Sequence, residues 1–499
     1  MLTLADIQSQ INTENFIGGE PVKATASETY TSLNPSDNQP IATFALSNAE
    51  DTSRAIAAAR KAFDQGPWPR MSVAERVKLI NRFASLIEEK AEFLGAIESY
   101  DVGKLLGECV GHDVARASAN MRFFASKMEQ WEDEAYFKDA AFLGRKIKTL
   151  SIAKREPAGV AGIIVPWNSP IMLATWKLGP CIAAGNTCVL KASPWAQLTI
   201  LQLGQLAKDA GIPDGVMNFI AGGAEAGQTL TSHPDVDRVS FTGSVGVGKA
   251  VNIANAQARM APVSLELGGK SPSIVFDDAD LDMAVAGVAR GIFRSQGQSC
   301  VAGSRLLLQE SIYNEFMPRL VKEVKAMKIG SQLDSSSQIG PLITKEHLAS
   351  IERMVQAGVS AGAKATIGGR RPEGVEFAQG NYFEPTIFEE VSSEMEVWQE
   401  EIFGPVLCVM PFKDESDAIA KANDSEFGLS SSVWTTDMDR AMTVSSAIES
   451  GMTWVNAHFV RDLRSPFGGV KDSGIGSEGG RYSLEFYTRA KMICLTYPR

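Results

Sequence analysis

Residues 159–193, GVAGIIVPWNSPIMLATWKLGPCIAAGNTCVLKAS, contain one complete strand–helix–strand pattern. GVAGIIVPW is a short apolar run that predicts a buried strand, WKLGPCIAAGN predicts a helix that ends at a glycine, and NTCVLKAS predicts a second strand. The pattern continues with a predicted helix at 198–210 and with the apolar runs GVMNFIAG and DRVSFTGS. Short buried strands that alternate with helices are typical of a parallel, doubly wound sheet.

A second series of the same kind begins at Pro272. SIVF and SRLLLQ predict strands, DLDMAVAGVARGIF predicts a helix with an acidic start, and another helix is predicted at 312–327. Ahead of both series, residues 51–135 carry apolar side chains at the three- and four-residue spacing of amphipathic helices. We therefore predict an α/β protein with two doubly wound, Rossmann-like domains, and the cleft between them is a natural ligand site.

Composition and charge restrict the classes of function. Hydrophobic residues are 44% and charged residues 21% of the 499 residues, which excludes a disordered chain, a collagen and a charged coiled coil. The net charge of −11, without a long run of Lys or Arg, disfavours nucleic acid and anionic membranes as partners. No apolar run reaches the ~18 residues that span a bilayer, and the N-terminus lacks the features of a signal peptide. We expect a cytoplasmic protein.

The spacing of cysteine, histidine and glycine residues matches no complete metal-binding or nucleotide-binding motif. None of the six cysteines lies in a C-x-x-C pair and none of the four histidines in an H-E-x-x-H pair, so no metal site is predicted. Residues 243–249 fit G-x-x-x-x-G-K, the start of a phosphate-binding loop, but Ala250 replaces the hydroxyl residue that binds magnesium. A nucleotide hydrolase is therefore disfavoured. The glycine turn remains a candidate anion site or a plain tight turn.

Two segments carry candidate reactive side chains. Cys300 lies in SQGQSCVAGS, a polar and glycine-rich linker in which a thiol can be more accessible than inside an apolar strand. Glu266 lies in SLELGGK, where apolar neighbours would raise the pKa of the carboxyl and suit a general base. Taken singly, each has a plain alternative: Cys300 as a thiol at a helix start, and Glu266 as an outward-facing strand residue.

Seven ordered motifs are together far more specific than any one of them. Along the chain they are VPWN (165–168), WK (176–177), FTGS (241–244), ELGGK (266–270), GQSC (297–300), EEIFGP (400–405) and SPFGG (465–469). With this set over almost its whole length, the chain resembles the aldehyde dehydrogenase superfamily. The resemblance implies an enzyme that oxidises an aldehyde with NAD or NADP. A non-catalytic protein on the same fold is disfavoured, because Cys300, Glu266 and Asn168 are present together.

The resemblance implies a role for each catalytic residue. Cys300 matches the nucleophile that attacks the aldehyde to give a thiohemiacetal, and the Asn168 side-chain amide and the Cys300 backbone N–H match the oxyanion hole. Loss of hydride to the nicotinamide leaves a thioester. Glu266 matches the base that activates water to hydrolyse it, which favours a free acid as product over a CoA ester. Lys177 and Glu478 match residues that support Glu266 or a proton path.

The resemblance also implies a dinucleotide site. Lys191 matches the contact to the adenine ribose, Glu401 the ligand of the nicotinamide ribose, and Phe403 the residue packed near the nicotinamide ring. The other matched positions are Val165, Pro166, Trp167, Ser193, Phe241, Gly243, Ser244 and Leu267. Pro194 departs from the family pattern, because it replaces the glutamate that binds the ribose 2′-hydroxyl. Lys191 and Ser193 could then hold a 2′-phosphate, so the choice between NAD and NADP stays open.

The segment VRDLRSPFGG (460–469), with ATWK and the ending SGIGSEGG, resembles the hydroxymuconic-semialdehyde branch of the family. Enzymes of that branch oxidise acidic semialdehydes from aromatic-ring cleavage. Arg461 and Arg116 fall at pocket positions, where two guanidinium groups could hold a carboxylate by bidentate hydrogen bonds. Alternatively they pair with Asp462 and Asp113, as in a general aliphatic or aromatic aldehyde dehydrogenase. The remaining predicted substrate residues are Arg464, Trp176 and Phe467.

The resemblance and the strand pattern together predict how the chain is divided. The predicted parts are a discontinuous cofactor-binding domain at 1–137 and 156–265, a catalytic domain at 266–465, and oligomerisation segments at 138–155 and 480–499. Within the oligomerisation segments, residues 145–155 and 491–497 should pair as strands. Exposed strand edges invite partners, and family members use such an arm to assemble, so we predict a homodimer or homotetramer.

Overall fold

Two mainly parallel β-sheets, with helices packed against them, form the framework of the computed structural model, which describes residues 2–498. The sheets have eight and seven strands, and a separate three-stranded sheet is largely exposed. This arrangement confirms the predicted α/β fold with two doubly wound domains and a small β arm. Met1 and Arg499, at the ends of two predicted segments, lie outside the described residues.

The helices follow the predicted order. Their limits are α1 Leu4–Gln8, α2 Ala49–Asp64, α3 Val73–Glu89, α4 Ala91–Val102, α5 Leu106–Glu108, α6 Ala115–Glu129, α7 Pro170–Ala183, α8 Leu198–Asp209, α9 Ala224–Ser232, α10 Val245–Ala258, α11 Leu281–Phe293, α12 Tyr313–Lys325, α13 Lys345–Ser360, α14 Glu396–Gln399, α15 Glu415–Asn423, α16 Met438–Ala447 and α17 Gly480–Phe486. A π-helix, Cys109–Val114, joins α5 to α6. Capping boxes begin α2 at Asn48 and α3 at Ser72, because each residue precedes an acid by three positions.

The strands belong to the two large sheets, the arm and two short ribbons. Their limits are β1 Asn15–Ile17, β2 Glu20–Val22, β3 Thr29–Leu33, β4 Pro40–Ala45, β5 Glu134–Phe142, β6 Arg145–Pro157, β7 Val160–Ile164, β8 Thr187–Lys191, β9 Met217–Ile220, β10 Arg238–Thr242, β11 Val263–Glu266, β12 Pro272–Val275, β13 Arg305–Gln309, β14 Lys364–Ile367, β15 Thr386–Glu389, β16 Val406–Phe412, β17 Phe427–Gly428, β18 Ser430–Trp434, β19 Met452–Val455, β20 Val470–Lys471, β21 Gly474–Ile475 and β22 Thr488–Pro498.

The first sheet has the order β2-β1-β9-β8-β7-β10-β11-β21, and its five strands from β9 to β11 are parallel. The segment 159–193 supplies β7, α7 and β8, as predicted. Helix α7 begins at Pro170, earlier than the predicted start at Trp176, because proline is favoured in a first helical turn. β7 and β8 are buried along their whole length, which explains why they are apolar on both faces.

The second sheet has the order β14-β15-β16-β13-β12-β18-β19 and is parallel except for β14 at one edge. Its strands come from residues 272–455, which lie inside the predicted catalytic domain. Glu266, the first residue of that predicted domain, is instead the last residue of β11 in the first sheet. After residue 465 the chain returns to the first sheet, because β21 pairs with β11 and α17 packs against α7.

The arm is the three-stranded sheet β22-β6-β5. The predicted pairing of 145–155 with 491–497 is confirmed, with Lys491 opposite Lys154 and Tyr497 opposite Lys148. The first strand of the arm, β5, starts at Glu134, before the predicted start at 138. The predicted second segment, 480–499, begins with helix α17 and not with a strand. In the described residues, no helix is long and apolar enough to cross a membrane.

The fold brings the motif segments to one edge of the first sheet. The carboxyl ends of parallel strands lie at the same edge, and these strands end at Ile164, Lys191, Thr242 and Glu266. Three of the predicted site segments therefore begin where β7, β8 and β10 stop. Cys300, the predicted nucleophile, comes from the turn between α11 and β13.

Candidate active site

A cavity of about 1040 Å³ lies between the two large sheets and receives most of the predicted site residues. The predicted residues that line it are Asn168, Cys300, Glu266, Glu478, Val165, Pro166, Trp167, Lys191, Ser193, Phe241, Gly243, Ser244, Leu267, Glu401, Phe403, Arg116, Arg461, Trp176 and Phe467. Lys177 lies just behind the wall, where it bonds to Glu478. Arg464 does not line the cavity.

Cys300 is carried by a turn with an unusual backbone. After α11, Ser295, Gln296 and Gly297 take φ values of 51°, 58° and 69°, which are left-handed conformations. The turn is fixed to the first domain by Asn168, whose Nδ2 donates to the Gln298 carbonyl at 3.0 Å. One amide hydrogen of Asn168 is thereby used, and the other remains for a ligand in the same cavity.

The Cys300 thiol is half-buried, and burial together with the charges of Glu401 and Glu266 raises its pKa to about 12. The backbone N–H groups of Cys300 and Val301 oppose this rise, because they point at the sulfur. The Val301 carbonyl accepts a hydrogen bond of 2.9 Å from His458 Nε2. Burial lowers the pKa of His458 to about 4, so its ring is neutral at ordinary pH and holds this turn as a donor.

Glu266 is buried at the end of β11, with 3% of its surface exposed. In the described chain, neither of its carboxyl oxygens has a hydrogen-bond partner. Burial and the neighbouring Glu478 raise its pKa well above the ordinary value, although Lys177 and Arg461 act in the opposite direction. A carboxyl group with a raised pKa accepts a proton more readily than an ordinary glutamate, as a general base requires.

Lys177 and Glu478 form the charged pair next to Glu266. Lys177 Nζ donates to Glu478 Oε1 at 2.5 Å and to Ser240 Oγ at 2.9 Å. The backbone of Glu478 exchanges two hydrogen bonds with Phe467, at 2.6 and 2.7 Å. The resemblance implies that Lys177 and Glu478 support Glu266 or a proton path, and the structure brings the three side chains together.

The far part of the cavity is built from the ends of β7, β8 and β10. Lys191 Nζ donates to the carbonyls of Ala192 and Gly222 at 2.9 and 3.0 Å, and burial lowers its pKa to about 8. Ser193 and Pro194 line the wall beside it. Ser244 precedes α10 without capping it by a side-chain hydrogen bond, so the first N–H groups of that helix face the cavity without a side-chain acceptor.

The segment 243–249 is a tight turn followed by a helix and lacks the geometry of a nucleotide-hydrolase loop. Gly243 N–H donates to the Glu266 carbonyl at 3.1 Å. The lysine of the motif, Lys249, points to the surface and pairs with Asp472 at 2.7 Å. Two features that such a hydrolase needs, a cavity-facing lysine and the hydroxyl replaced by Ala250, are therefore missing from this loop.

Glu401 and Phe403 form the middle of the cavity. Glu401 accepts a hydrogen bond of 2.9 Å from Gly269 N–H, and burial raises its pKa to about 7. Phe403 has a φ of 56° and its ring meets Trp167 edge to face at 5.1 Å. His347 Nε2 donates to the Phe403 carbonyl at 2.9 Å, which holds this strained residue in place.

Arg116 and Arg461 converge, as predicted, on one side of the cavity. Their guanidinium carbons lie 6.0 and 5.0 Å from the ring centre of Trp176, and Arg461 also lies 5.0 Å from the ring centre of Phe467. Burial and the neighbouring Arg116 lower the pKa of Arg461 to about 10. Arg461 Nη2 is buried and has no hydrogen-bond partner among residues 2–498.

The acids that were the alternative partners of these arginines are bound elsewhere. Asp462 pairs with Arg464 at 2.6 Å, and Asp113 pairs with Lys104 and His112. In the part of the chain that the structure describes, no ion pair joins Arg116 or Arg461 to a carboxylate. The local-pairing alternative is therefore wrong for both arginines.

The predicted substrate contact of Arg464 is not supported. Its side chain is 78% exposed and is held by Asp462. The backbone turns between Arg461 and Arg464, so that the first faces the cavity and the second faces solvent. Sequence spacing alone does not reveal such a turn.

A family assignment follows from comparison with known proteins. The model of the aldehyde dehydrogenase family matches residues 22–493. The chain belongs to this family. It is 40% identical over 485 residues to the cytosolic 10-formyltetrahydrofolate dehydrogenase of Xenopus tropicalis, an alignment that covers 97% of the chain but 53% of the relative. The chain thus spans about half the length of that relative.

Two further comparisons cover nearly the full length of both partners. An aldehyde dehydrogenase of Aspergillus niger is 40% identical over 479 residues, which is 96% of this chain and 94% of the relative. The solved structure of a mutant of the P. syringae indole-3-acetaldehyde dehydrogenase AldA, in complex with NAD+ and IAA, is 38% identical and covers 100% of both chains with a TM-score of 0.94.

Several cavity residues of this aldehyde dehydrogenase family member were missed by the sequence analysis. They are Lys104, His112, Trp195, His347, Trp454 and Phe459. Most of them lie at the ends of helices or in loops, where the spacing of apolar residues does not show which way a side chain points. For His347 the sequence does carry a local signal of position. Thr344 is a recognisable helix cap, and it places His347 in the first turn of α13. No group of three His, Cys, Asp or Glu able to hold a metal occurs among the described residues.

Gly297→Ala tests whether the left-handed turn sets the position of Cys300. An added Cβ would lie 2.1 Å from the Gly404 carbonyl oxygen, and the φ of 69° is unfavourable for alanine. We expect a lower melting temperature and a changed rate of Cys300 alkylation by iodoacetamide. Gly107→Ala is the matched control, because its Cβ would meet nothing within 4 Å. Unchanged stability and reactivity in Gly297→Ala would reject the role of this turn.

Proposed function

We propose that the protein oxidises an aldehyde to the free carboxylic acid, with NAD or NADP as the hydride acceptor. The observation that supports this most strongly is the single cavity that holds Cys300, Asn168 and Glu266. A thiol nucleophile, an amide donor and a buried carboxyl are the groups needed to form and then hydrolyse a thioester. The similarity to named aldehyde dehydrogenases supports the same activity.

The cavity residues fit a dinucleotide. The uncapped start of α10 offers N–H groups to a phosphate, and the Glu401 carboxylate can accept hydrogen bonds from ribose hydroxyls. Lys191 lies with its ammonium in the cavity wall, next to Ser193 and Pro194. Because Pro194 carries no charge, a ribose 2′-phosphate would meet no carboxylate at that position. We therefore propose both NAD and NADP as cofactors, which would supply the hydride acceptor when bound.

The first chemical stage uses Cys300 and Asn168. The thiolate is the reactive form, so the Cys300 thiol first releases its proton to solvent water at the cavity. The N–H groups of Cys300 and Val301 favour the thiolate against the effect of burial. As Sγ bonds to the aldehyde carbon, the carbonyl oxygen becomes an oxyanion. The free amide hydrogen of Asn168 and the Cys300 N–H donate to that oxygen, and each such donor contributes about 2.7–4 kcal/mol in comparable sites. Departure of the hydride from this thiohemiacetal leaves an acyl thioester on Cys300.

The second stage uses Glu266. The carboxylate takes a proton from a water molecule, whose oxygen bonds to the thioester carbon, and the C–S bond then breaks to release the carboxylic acid and the Cys300 thiolate. The raised pKa of Glu266 makes it a stronger base than an ordinary glutamate. The Lys177–Glu478 pair lies beside it and can exchange the proton.

For the substrate we propose an acidic semialdehyde from aromatic-ring cleavage. The support is the pair Arg116 and Arg461, two guanidinium groups without carboxylate partners on the wall of the cavity that holds Cys300. Trp176 and Phe467 lie below Arg461 and could pack against a planar carbon chain. Two unpaired cations in one pocket repel each other, and a bound carboxylate would relieve this repulsion.

We also propose that the protein is a homodimer or homotetramer that assembles through its arm. Both edge strands of the arm, β5 and β22, are open, and open edges pair readily. Exposed apolar side chains include Phe137 at 73%, Met492 at 69% and Leu495 at 50%. Such residues are unfavourable in contact with water and are typical of an interface.

Glu266→Gln should separate the two chemical stages. We expect a rapid burst of NAD(P)H with up to one equivalent per active site, followed by a stall, because the amide cannot activate water. Mass spectrometry of the stalled protein should show an acyl adduct on Cys300. The control variant Cys300→Ala should give neither burst nor adduct while still binding NAD(P). A stalled Glu266→Gln enzyme without an adduct would show that Glu266 has another role.

Arg461→Ala and Arg116→Ala test the carboxylate proposal. Each change removes a charge-assisted hydrogen bond worth about 1.5–3 kcal/mol, which is roughly a 10- to 100-fold loss of kcat/KM. The loss should affect acidic semialdehydes and spare a neutral aldehyde of similar length. Arg464→Ala is the matched control, since this arginine faces solvent. Equal losses for both substrates in folded variants would favour a general aldehyde dehydrogenase.

Light scattering at micromolar concentration tests assembly. The wild type should have the mass of a dimer or tetramer, and Phe137→Asp combined with Leu495→Asp should shift it to a smaller species. Met442→Asp is the control, because Met442 is also exposed, at 64%, but belongs to α16. A monomeric wild type would contradict the assembly proposal.

A further inference from the structure

The start of α7 is held by side chains from another part of the chain. This helix directly follows Asn168 and Ser169, and its first turn has no side-chain cap of its own. Glu98 supplies the missing acceptor, because its Oε2 accepts from the Ile171 N–H at 3.1 Å. Lys104 Nζ donates to Ser169 Oγ at 2.9 Å. The segment just after Asn168 is thereby held at two points, the backbone N–H of Ile171 and the side-chain hydroxyl of Ser169.

Glu98 and Lys104 belong to a buried cluster of ionisable groups. Lys104 forms an ion pair with Asp113, and the side chains of the two residues are 7% and 0% exposed. His112 Nδ1 lies 2.7 Å from the other Asp113 oxygen and reaches the cavity from the same π-helix. π-helices are rare and occur frequently at functional sites.

The ionisable groups of the cluster shift one another's pKa values. Burial, reinforced by the charge of Asp113, raises the pKa of Glu98 well above its ordinary value. Burial alone would raise the pKa of Asp113, but the charges and hydrogen bonds of Lys104 and His112 together outweigh burial and lower that pKa. The Lys104–Asp113 ion pair thus lies beside Glu98, whose buried carboxyl is costly to ionise. Buried ion pairs are seldom more stabilising than well-packed apolar residues, so their presence beside a reactive cavity calls for a reason other than stability.

The position of Asn168 provides that reason. Asn168 lies just before the start of α7, and its side-chain amide donates to the Gln298 carbonyl, on the turn that carries Cys300, at 3.0 Å. A shift of the backbone at Ser169 would break this bond and redirect the second amide hydrogen. Oxyanion donors act through fixed geometry, and small displacements lower the rate strongly.

We propose that Lys104, Asp113 and Glu98 are positioning residues for Asn168: they hold Ser169 and Ile171 so that the Asn168 amide points at the aldehyde oxygen. The inference rests on the proposed aldehyde oxidation and adds to it the residues that set the oxyanion donor. None of the three is proposed to touch the reacting atoms. Substitution of these residues should lower the rate of the first chemical stage, and it should do so by moving the Asn168 amide.

A double-mutant cycle tests the proposal. Ser169→Ala removes only the Lys104 contact and leaves the buried ion pair intact, while Lys104→Met removes the ammonium. In Ser169→Ala, we expect the rate of the NAD(P)H burst to fall about 3- to 10-fold with little change in KM. In an Asn168→Ala background, the same substitution should cause no further loss, because the residue that it positions is already absent.

Ser431→Ala is the matched control, since it removes a buried hydroxyl hydrogen bond in the second sheet. It should leave the burst rate unchanged. Thermal melting shows whether Lys104→Met is folded, and Ser169→Ala keeps the test valid if it is not. An equal loss in both backgrounds, or no loss in Ser169→Ala, would overturn the positioning role. A wild type that forms no NAD(P)H with any aldehyde would instead overturn the proposed function and, with it, this inference.

Discussion

Two buried carboxyl groups, Glu266 and Glu478, lie beside a single buried ammonium, Lys177, and the active site depends on this imbalance. Lys177 bonds to Glu478 and leaves both oxygens of Glu266 without a hydrogen-bond partner in the described chain. Burial and the charge of Glu478 then raise the pKa of Glu266, and Lys177 and Arg461 compensate only in part. A carboxyl that is costly to ionise is also a strong base towards water. The imbalance therefore creates the group that the proposed thioester hydrolysis needs.

The fold assembles this charge arrangement from distant parts of the chain. Glu266 ends a parallel strand of the first sheet, Lys177 lies on the helix that crosses to the neighbouring strand, and Glu478 comes from a segment that returns after the second domain. The thiol comes from the second domain on a left-handed turn, which Asn168 ties to the first domain at Gln298. Neither domain contains a complete site. The cavity between them is where the groups meet, as expected for ligand sites at the carboxyl ends of parallel strands.

Much of this architecture could be predicted from the sequence because its signals are local or are short motifs. The strand–helix–strand pattern of 159–193 follows from apolar runs, and the positions of Cys300 and Glu266 follow from their motifs. Contacts that depend on where a side chain points could not be predicted. Arg464 resembles Arg461 in sequence, but a backbone turn directs it to solvent. Lys104 precedes the π-helix Cys109–Val114 and forms an ion pair with Asp113 inside it. Neither residue carries a sequence signal for that pairing.

The pH dependence of thioester hydrolysis tests the central role of Glu266 most directly. In the wild type, the steady-state rate after the burst should rise with pH through a pKa well above the ~4.3 of an ordinary glutamate, because only the ionised carboxyl accepts a proton from water. The burst amplitude should be largest at low pH, where hydrolysis is slowest, and the rise should be absent in Glu266→Gln. A wild-type rate that does not change between about pH 5 and 9, or the same rise in Glu266→Gln, would contradict the account.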